Sequence, residues 1–136
     1  MSDDSASLTG TWDGLYFYPG DGRPVSFVAN LNDAGQNLAG TIEETDTLWD
    51  IGPVSATVDG RRAGNMVFFT KTYDGRGGWF HSVAYEGVID ADVTEIHGSW
   101  AVHGISGTFL MMRPRAAAKA VSREAADRVD TPERVS

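Results

Sequence analysis

The sequence predicts an all-β fold, an eight-stranded antiparallel up-and-down barrel followed by a short helical or disordered C-terminal tail. Three observations carry this expectation. Seven turn signals rich in Gly, Asp, Asn and Pro break residues 9–113 into short segments, at 19–22, 32–35, 50–53, 59–60, 74–78, 90–92 and 103–104. Most of the segments between them alternate apolar and polar residues with a period of two. The 16 glycines of the 136-residue chain fall at those turns and at isolated strand positions, with no collagen period and no low-complexity run. Only residues 43–53 leave room for a crossover, so a meander is the simplest path, and closing it removes two exposed edges.

The elements follow in order. Residues 1–8 are small and acidic and read as a flexible leader. The first strand sets Leu15 and Phe17 opposite Tyr16 and Tyr18. The second sets Val25, Phe27, Ala29 and Leu31 against Ser26 and Asn30, and the third points Leu38, Gly40 and Ile42 inward. On the fourth, Val54, Ala56 and Val58 oppose Ser55, Thr57 and Asp59; on the fifth, Met66 and Phe68 oppose Val67 and Phe69. The sixth aligns Val83, Tyr85 and Ile89, and the seventh aligns Ile96, Trp100 and Val102 against Glu95, His97, Ser99 and His103. Arg113 closes the last strand, so the barrel domain is 9–114 and residues 115–136 are an Ala- and charge-rich tail. The first and fifth strands are apolar on both faces, which implies a covered outer surface, either in a homodimer or homotetramer or beneath the tail.

Composition narrows the function classes. Residues 1–112 carry fifteen acidic and five basic groups, while 113–136 carry four and six. An acidic body without a basic stripe argues against nucleic acid as a partner. No apolar run reaches membrane-helix length, and no membrane partner is expected. The chain holds no cysteine, which removes thiol chemistry and thiolate metal sites and makes a cytoplasmic location the default. Its histidines, His81, His97 and His103, are spaced so that no metal site is expected; a haem would need an inward histidine, for which only His81 qualifies. No cofactor is expected.

Leu8-Thr9-Gly10-Thr11-Trp12, with Arg113 at the far end, resembles the structural signature of the calycin barrels, a group that includes lipocalins, fatty-acid-binding proteins and avidins. Asn37 to Glu43, Met66 to Lys71, Tyr85-Glu86-Gly87 and His97 to Trp100 follow in an order and spacing similar to the avidin and streptavidin family. The resemblance implies an eight-stranded barrel with the arginine stacked on the tryptophan at one end. It does not carry the biotin site. The family's first-strand asparagine falls on Gly14, its third-strand tyrosine and serine fall on Ile42 and Glu44, and its sixth-strand tryptophan falls on Tyr85. Trp100 matches, but the last-strand aspartate has no counterpart near Phe109 to Met112. Buried ureido atoms left unmatched would cost about 1–3 kcal/mol each, so biotin is not the expected ligand.

The lead expectation is a barrel that binds one small, mostly apolar molecule in a hydrophobic pocket. Tyr16, Tyr18, Phe27, Ile42, Tyr85 and Trp100 would form its wall, with His81 or Glu44 as a polar handle. The alternative is a barrel enzyme of isomerase, cyclase or dehydratase type, in which Glu44 and Tyr85 act as acid and base. Glu44 ends the inward row of the third strand, although it faces water if the strand has already stopped. A third reading is a solid barrel serving as an oligomeric interaction module. Trp79-Phe80, after the glycine-rich 74–78 stretch, reads as a rim plug or a ligand flap.

Overall fold

The computed structural model describes residues 7–20, 24–46, 54–75 and 81–114. Eight strands run in chain order: β1 (Gly10–Phe17), β2 (Pro24–Ala34), β3 (Asn37–Asp46), β4 (Val54–Ala63), β5 (Met66–Tyr73), β6 (Ser82–Ile89), β7 (Glu95–Val102) and β8 (Ile105–Met112). Each pairs antiparallel with the next, and β1 pairs with β8 from Asp13↔Met112 to Phe17↔Thr108, closing the sheet into a barrel. Closure leaves no unpaired edge. The described residues contain no helix, and the expected tail at 115–136 lies outside them.

Alternation fills the interior. β2 buries Val25, Phe27, Ala29 and Leu31 while Pro24, Ser26, Val28 and Asn30 stay outside. On β5 the inward row is Val67, Phe69, Lys71 and Tyr73, so Met66 and Phe68 belong to the outer face. Phe69 stacks on Tyr85 at 4.8 Å between ring centroids and meets Phe109 edge-on. These contacts, between neighbouring strands and across the barrel, belong to one continuous core.

Two boundaries differ from the sequence expectation. Asp59-Gly60 does not turn the chain; β4 continues to Ala63, and the turn is Gly64-Asn65. Gly60 is needed there for closeness: a Cβ would collide with the Phe68 carbonyl and with Phe69 of the neighbouring strand. Leu8, assigned to the leader, is fully buried in the core, and residues 1–6 lie outside the described part.

One end of the barrel is plugged. The Arg113 guanidinium lies 4.4 Å from the Trp12 ring centroid, as the calycin resemblance implies. Arg113 donates to three carbonyls: Nε to Val93 at 3.0 Å, Nη1 to Thr9 at 3.1 Å and Nη2 to Ser7 at 2.7 Å. The Trp12 indole donates to the Leu8 carbonyl at 2.9 Å. Val93 has a φ of 57°, an unfavourable conformation for a β-branched residue, and the Arg113 bond helps hold it.

Candidate functional site

The opposite end, where β1, β3, β5 and β7 finish, holds the polar chemistry. Period-two alternation from Leu38 and Ile42 carries the β3 side chains inward as far as Glu44, which is 0% exposed. The strand has not ended and Glu44 does not face water. Its register partner is Val54 on β4, which is also fully buried. The same alternation on β5 brings Lys71 to the interior, 1% exposed, with its Nζ 2.8 Å from Glu44 Oε2.

Three donors converge on the Glu44 carboxyl. Tyr16 donates to Oε1 at 3.0 Å, and Tyr73 and Lys71 donate to Oε2, each at 2.8 Å. The ammonium also lies over three rings, 4.6 Å from the centroid of Tyr16, 4.7 Å from Tyr73 and 5.2 Å from Tyr85. The centre is thus a carboxyl and an amine enclosed by tyrosines. Withdrawing two charges from water costs several kcal/mol per ion, and only close pairing with further hydrogen bonds compensates.

Burial dominates the proton affinities. It lowers the Lys71 amine below the ordinary lysine value, against the pull of Glu44 in the other direction. Burial and then the nearby Glu44 charge push the hydroxyls of Tyr16, Tyr73 and Tyr85 well above the usual tyrosine value. Tyr18, half-buried above them, is also raised, chiefly by burial. At neutral pH all four hydroxyls are therefore protonated and able to donate.

The residues expected to form a ligand wall lie in the barrel interior. Tyr16, Phe27, Ile42, Tyr85 and Trp100 belong to the buried core, and Tyr18 packs against it. Phe27 fills the space beside Gly14, where a Cβ would strike its ring, so Gly14 makes room for packing at the avidin-family asparagine position. The Trp100 N–H is taken by the carbonyls of Phe17 and Thr108, at 3.2 and 3.1 Å. Trp100 therefore presents only ring surface, edge-on to Tyr18 at 5.3 Å and to Tyr16 at 6.1 Å. The Tyr85 hydroxyl has no hydrogen-bond partner among the described residues, although the residue is only 3% exposed.

Histidines mark the rim. His81 tilts against Tyr73 at 4.8 Å and lies 6.2 Å from the His103 ring. Burial, then the Lys71 charge, lowers its imidazole below the usual histidine value. His103 and Gly104, with φ of 50° and 80°, form the two-residue β7–β8 hairpin, and that turn brings His103 toward His81. His97 is exposed on β7, 3.5 Å from Glu95, away from both. Among the described residues no group of three His, Cys, Asp or Glu side chains is placed to hold a metal. Trp79-Phe80 lies outside the described residues.

Lys71 and Tyr73 are the residues that sequence reasoning missed. Counting in twos from Phe69 along β5 reaches both. The outer surface carries grooves of its own, including one of about 590 Å³ bordered by Asp59, Arg61, Phe68, Thr70 and Glu86. Those side chains lie on the outer face, whereas Phe69, Tyr85 and Trp100, which also border the groove, are buried core residues.

Fold and site together define an eight-stranded closed β-barrel, plugged at one end and carrying an internal lysine–carboxyl–tyrosine centre toward the other. No protein-family model and no curated protein matches the chain. Among solved structures it is similar to a redesigned β-barrel, mFAP1, described as bound to DFHBI, with a TM-score of 0.63 and 15% identity over 78% of this chain and 94% of that one. It is also similar to a de novo designed fluorescence-activating β-barrel, with a TM-score of 0.57 and 11% identity over 78% and 93% of the two chains. At these identities the likeness is one of fold.

Proposed function

We propose that this protein binds one small, mostly apolar molecule at the tyrosine-rich end of its barrel. The observation that carries the reading is the Tyr85 hydroxyl, buried without a protein partner among the described residues, beside a carboxyl and an amine that are already paired. A buried hydroxyl left unsatisfied costs about 1–3 kcal/mol, which a ligand acceptor would recover. The aromatic faces of Tyr16, Tyr18 and Trp100 supply the apolar contact. Losing ~300 Å² of ligand surface there would contribute roughly 7 kcal/mol before association costs. The complex of mFAP1 with DFHBI supports the reading by analogy.

Native mass spectrometry of freshly purified protein tests it. A co-purified mass, or saturable binding of small apolar probes with quenching of Trp100, is expected. Absence of binding across a varied probe set favours a solid barrel acting as an interaction module.

The second reading is an enzyme of isomerase, cyclase or dehydratase type, favoured by the three donors on Glu44. Tyr85 would then donate to substrate while the Glu44 centre moves a proton. Glu44→Gln would abolish turnover in that case, whereas a pure binder has no turnover to lose.

Scaffold kinship with the avidins remains part of this proposal, supported by the Trp12–Arg113 plug; biotin is not the proposed ligand. A homodimer or homotetramer is proposed on the exposed Val28 and Met112 with the half-buried Leu15, Phe17 and Leu110 on the outer face of β1, β2 and β8. Sedimentation of the protein and of Phe17→Glu tests that assembly. A cytoplasmic location is proposed on the absence of cysteine and is checked by cell fractionation.

A further inference from the structure

Lysine belongs at the surface, where its ammonium is hydrated and its long stem costs little to leave mobile. This chain has two lysines, Lys71 and Lys119, and the one within the barrel is buried inside it. A buried ion pair is a poor means of stabilisation, because well-packed apolar residues of similar volume often serve as well or better. The pairing here is also incomplete. Lys71 makes one hydrogen bond to an oxygen, Glu44 Oε2, and its nitrogen otherwise lies over the rings of Tyr16, Tyr73 and Tyr85. An amine held in this way beside a carboxyl suits covalent chemistry with a carbonyl group.

We propose that Lys71 is the attachment point for an apolar aldehyde or ketone, which it holds as a protonated imine with Glu44 as counter-ion. This deepens the binding reading above and rests on it. Lys71 first passes one ammonium proton to Glu44 across the 2.8 Å bond. The freed lone pair attacks the carbonyl carbon, forming the C–N bond as the C=O π bond opens onto oxygen. A second proton moves from nitrogen to that oxygen, giving a carbinolamine. Glu44 then returns its proton to the hydroxyl, which leaves as water while the nitrogen lone pair closes the C=N bond. The product is an iminium beside a carboxylate, so the buried centre begins and ends with one charge of each sign. Burial of the amine raises the fraction in the reactive neutral form, although Glu44 works against it. The three rings favour the cation at both ends of the reaction.

The test uses the full chain, 2-naphthaldehyde and cyanoborohydride, with 2-naphthylmethanol as a partner of similar shape that forms no imine. The expected result is one naphthylmethyl group per chain, found by peptide mapping on Lys71 and still present in Lys119→Arg. The alcohol should bind to the same protein, quench tryptophan fluorescence and slow the labelling. If the alcohol binds but the label appears only on Lys119 or the N-terminal amine, or not at all, the imine proposal is wrong and the binding reading survives. If the alcohol does not bind and Lys71 is unlabelled, both fail for this ligand class.

Discussion

Lys71 Nζ lies 2.8 Å from Glu44 Oε2, and neither side chain is more than 1% exposed. A pair this dry is sensitive to loss of either member. Lys71→Met or Glu44→Gln should each destabilise the fold by about 3–5 kcal/mol, because each leaves an unmatched polar group in the core. The double variant Glu44→Leu/Lys71→Met should lose less than the sum of the two single changes, the remaining loss coming from the Tyr16 and Tyr73 hydroxyls that lose their acceptor. Urea denaturation of wild type, the single variants and the double variant measures the coupling; additive losses would mean that the pair does not act as a unit.

The buried tyrosines set the alkaline limit. Tyr16, Tyr18, Tyr73 and Tyr85 have raised proton affinities in the fold, whereas unfolded tyrosines titrate near the ordinary value of 10.0. Their contribution is complete below that pH and falls as pH rises above it, since the unfolded state alone then releases protons. Lys71 has the opposite sign just below the ordinary lysine value of 10.5, but it is one group against four. Stability measured by denaturation should therefore decline above about pH 10, with tyrosinate absorbance appearing only on unfolding. Tyrosine titration that is complete within the folded protein would contradict this.

Arg113 fixes the plugged end. Arg113→Ala removes the donors to Val93, Thr9 and Ser7 and uncovers Trp12, with an expected loss of about 2–4 kcal/mol. Arg113→Lys should recover little, because an ammonium cannot reproduce the planar fork. Thermal unfolding of both variants gives the comparison, and full recovery by lysine would show that charge alone suffices.

Gly60 separates a close-packed strand position from a turn. In β4 a Cβ at Gly60 meets the Phe68 carbonyl, so Gly60→Ala should force the strands apart and cost about 1–3 kcal/mol. Gly60 is not among the positive-φ glycines, so the loss would come from the collision and not from backbone conformation. A neutral effect on the urea midpoint would contradict the observed β4–β5 register.

How much of the molecule is legible in the sequence depends on what each signal reports. Alternation places Phe27, Ile42, Tyr85 and Trp100 inside the barrel but leaves the two apolar faces of the first strand undecided, and the terminal Trp12 and Arg113 meet as their resemblance to the calycin signature implies. Asp59-Gly60 misleads because Asp-Gly reports a preference for turns, whereas Gly60 answers to the approach of β5. Glu44 is ambiguous because sequence does not show where β3 stops. Lys71 escapes notice because a lysine reads as a solvated residue until its partner is known, and Glu44 lies 27 positions away in the chain. The meeting of His81 with His103 is hidden because the turn signal at 103–104 shows that the chain reverses there but not which side chain the His103 ring will face.

The central claim is that the functional surface lies inside the barrel, around Glu44, Lys71 and Tyr85. Heteronuclear chemical-shift mapping with a set of small apolar fragments tests it most directly. The account predicts saturable shifts centred on Tyr16, Tyr18, Lys71, Tyr85 and Trp100. Shifts confined to the outer groove of Asp59, Arg61, Phe68 and Glu86, with the interior unmoved, would contradict it.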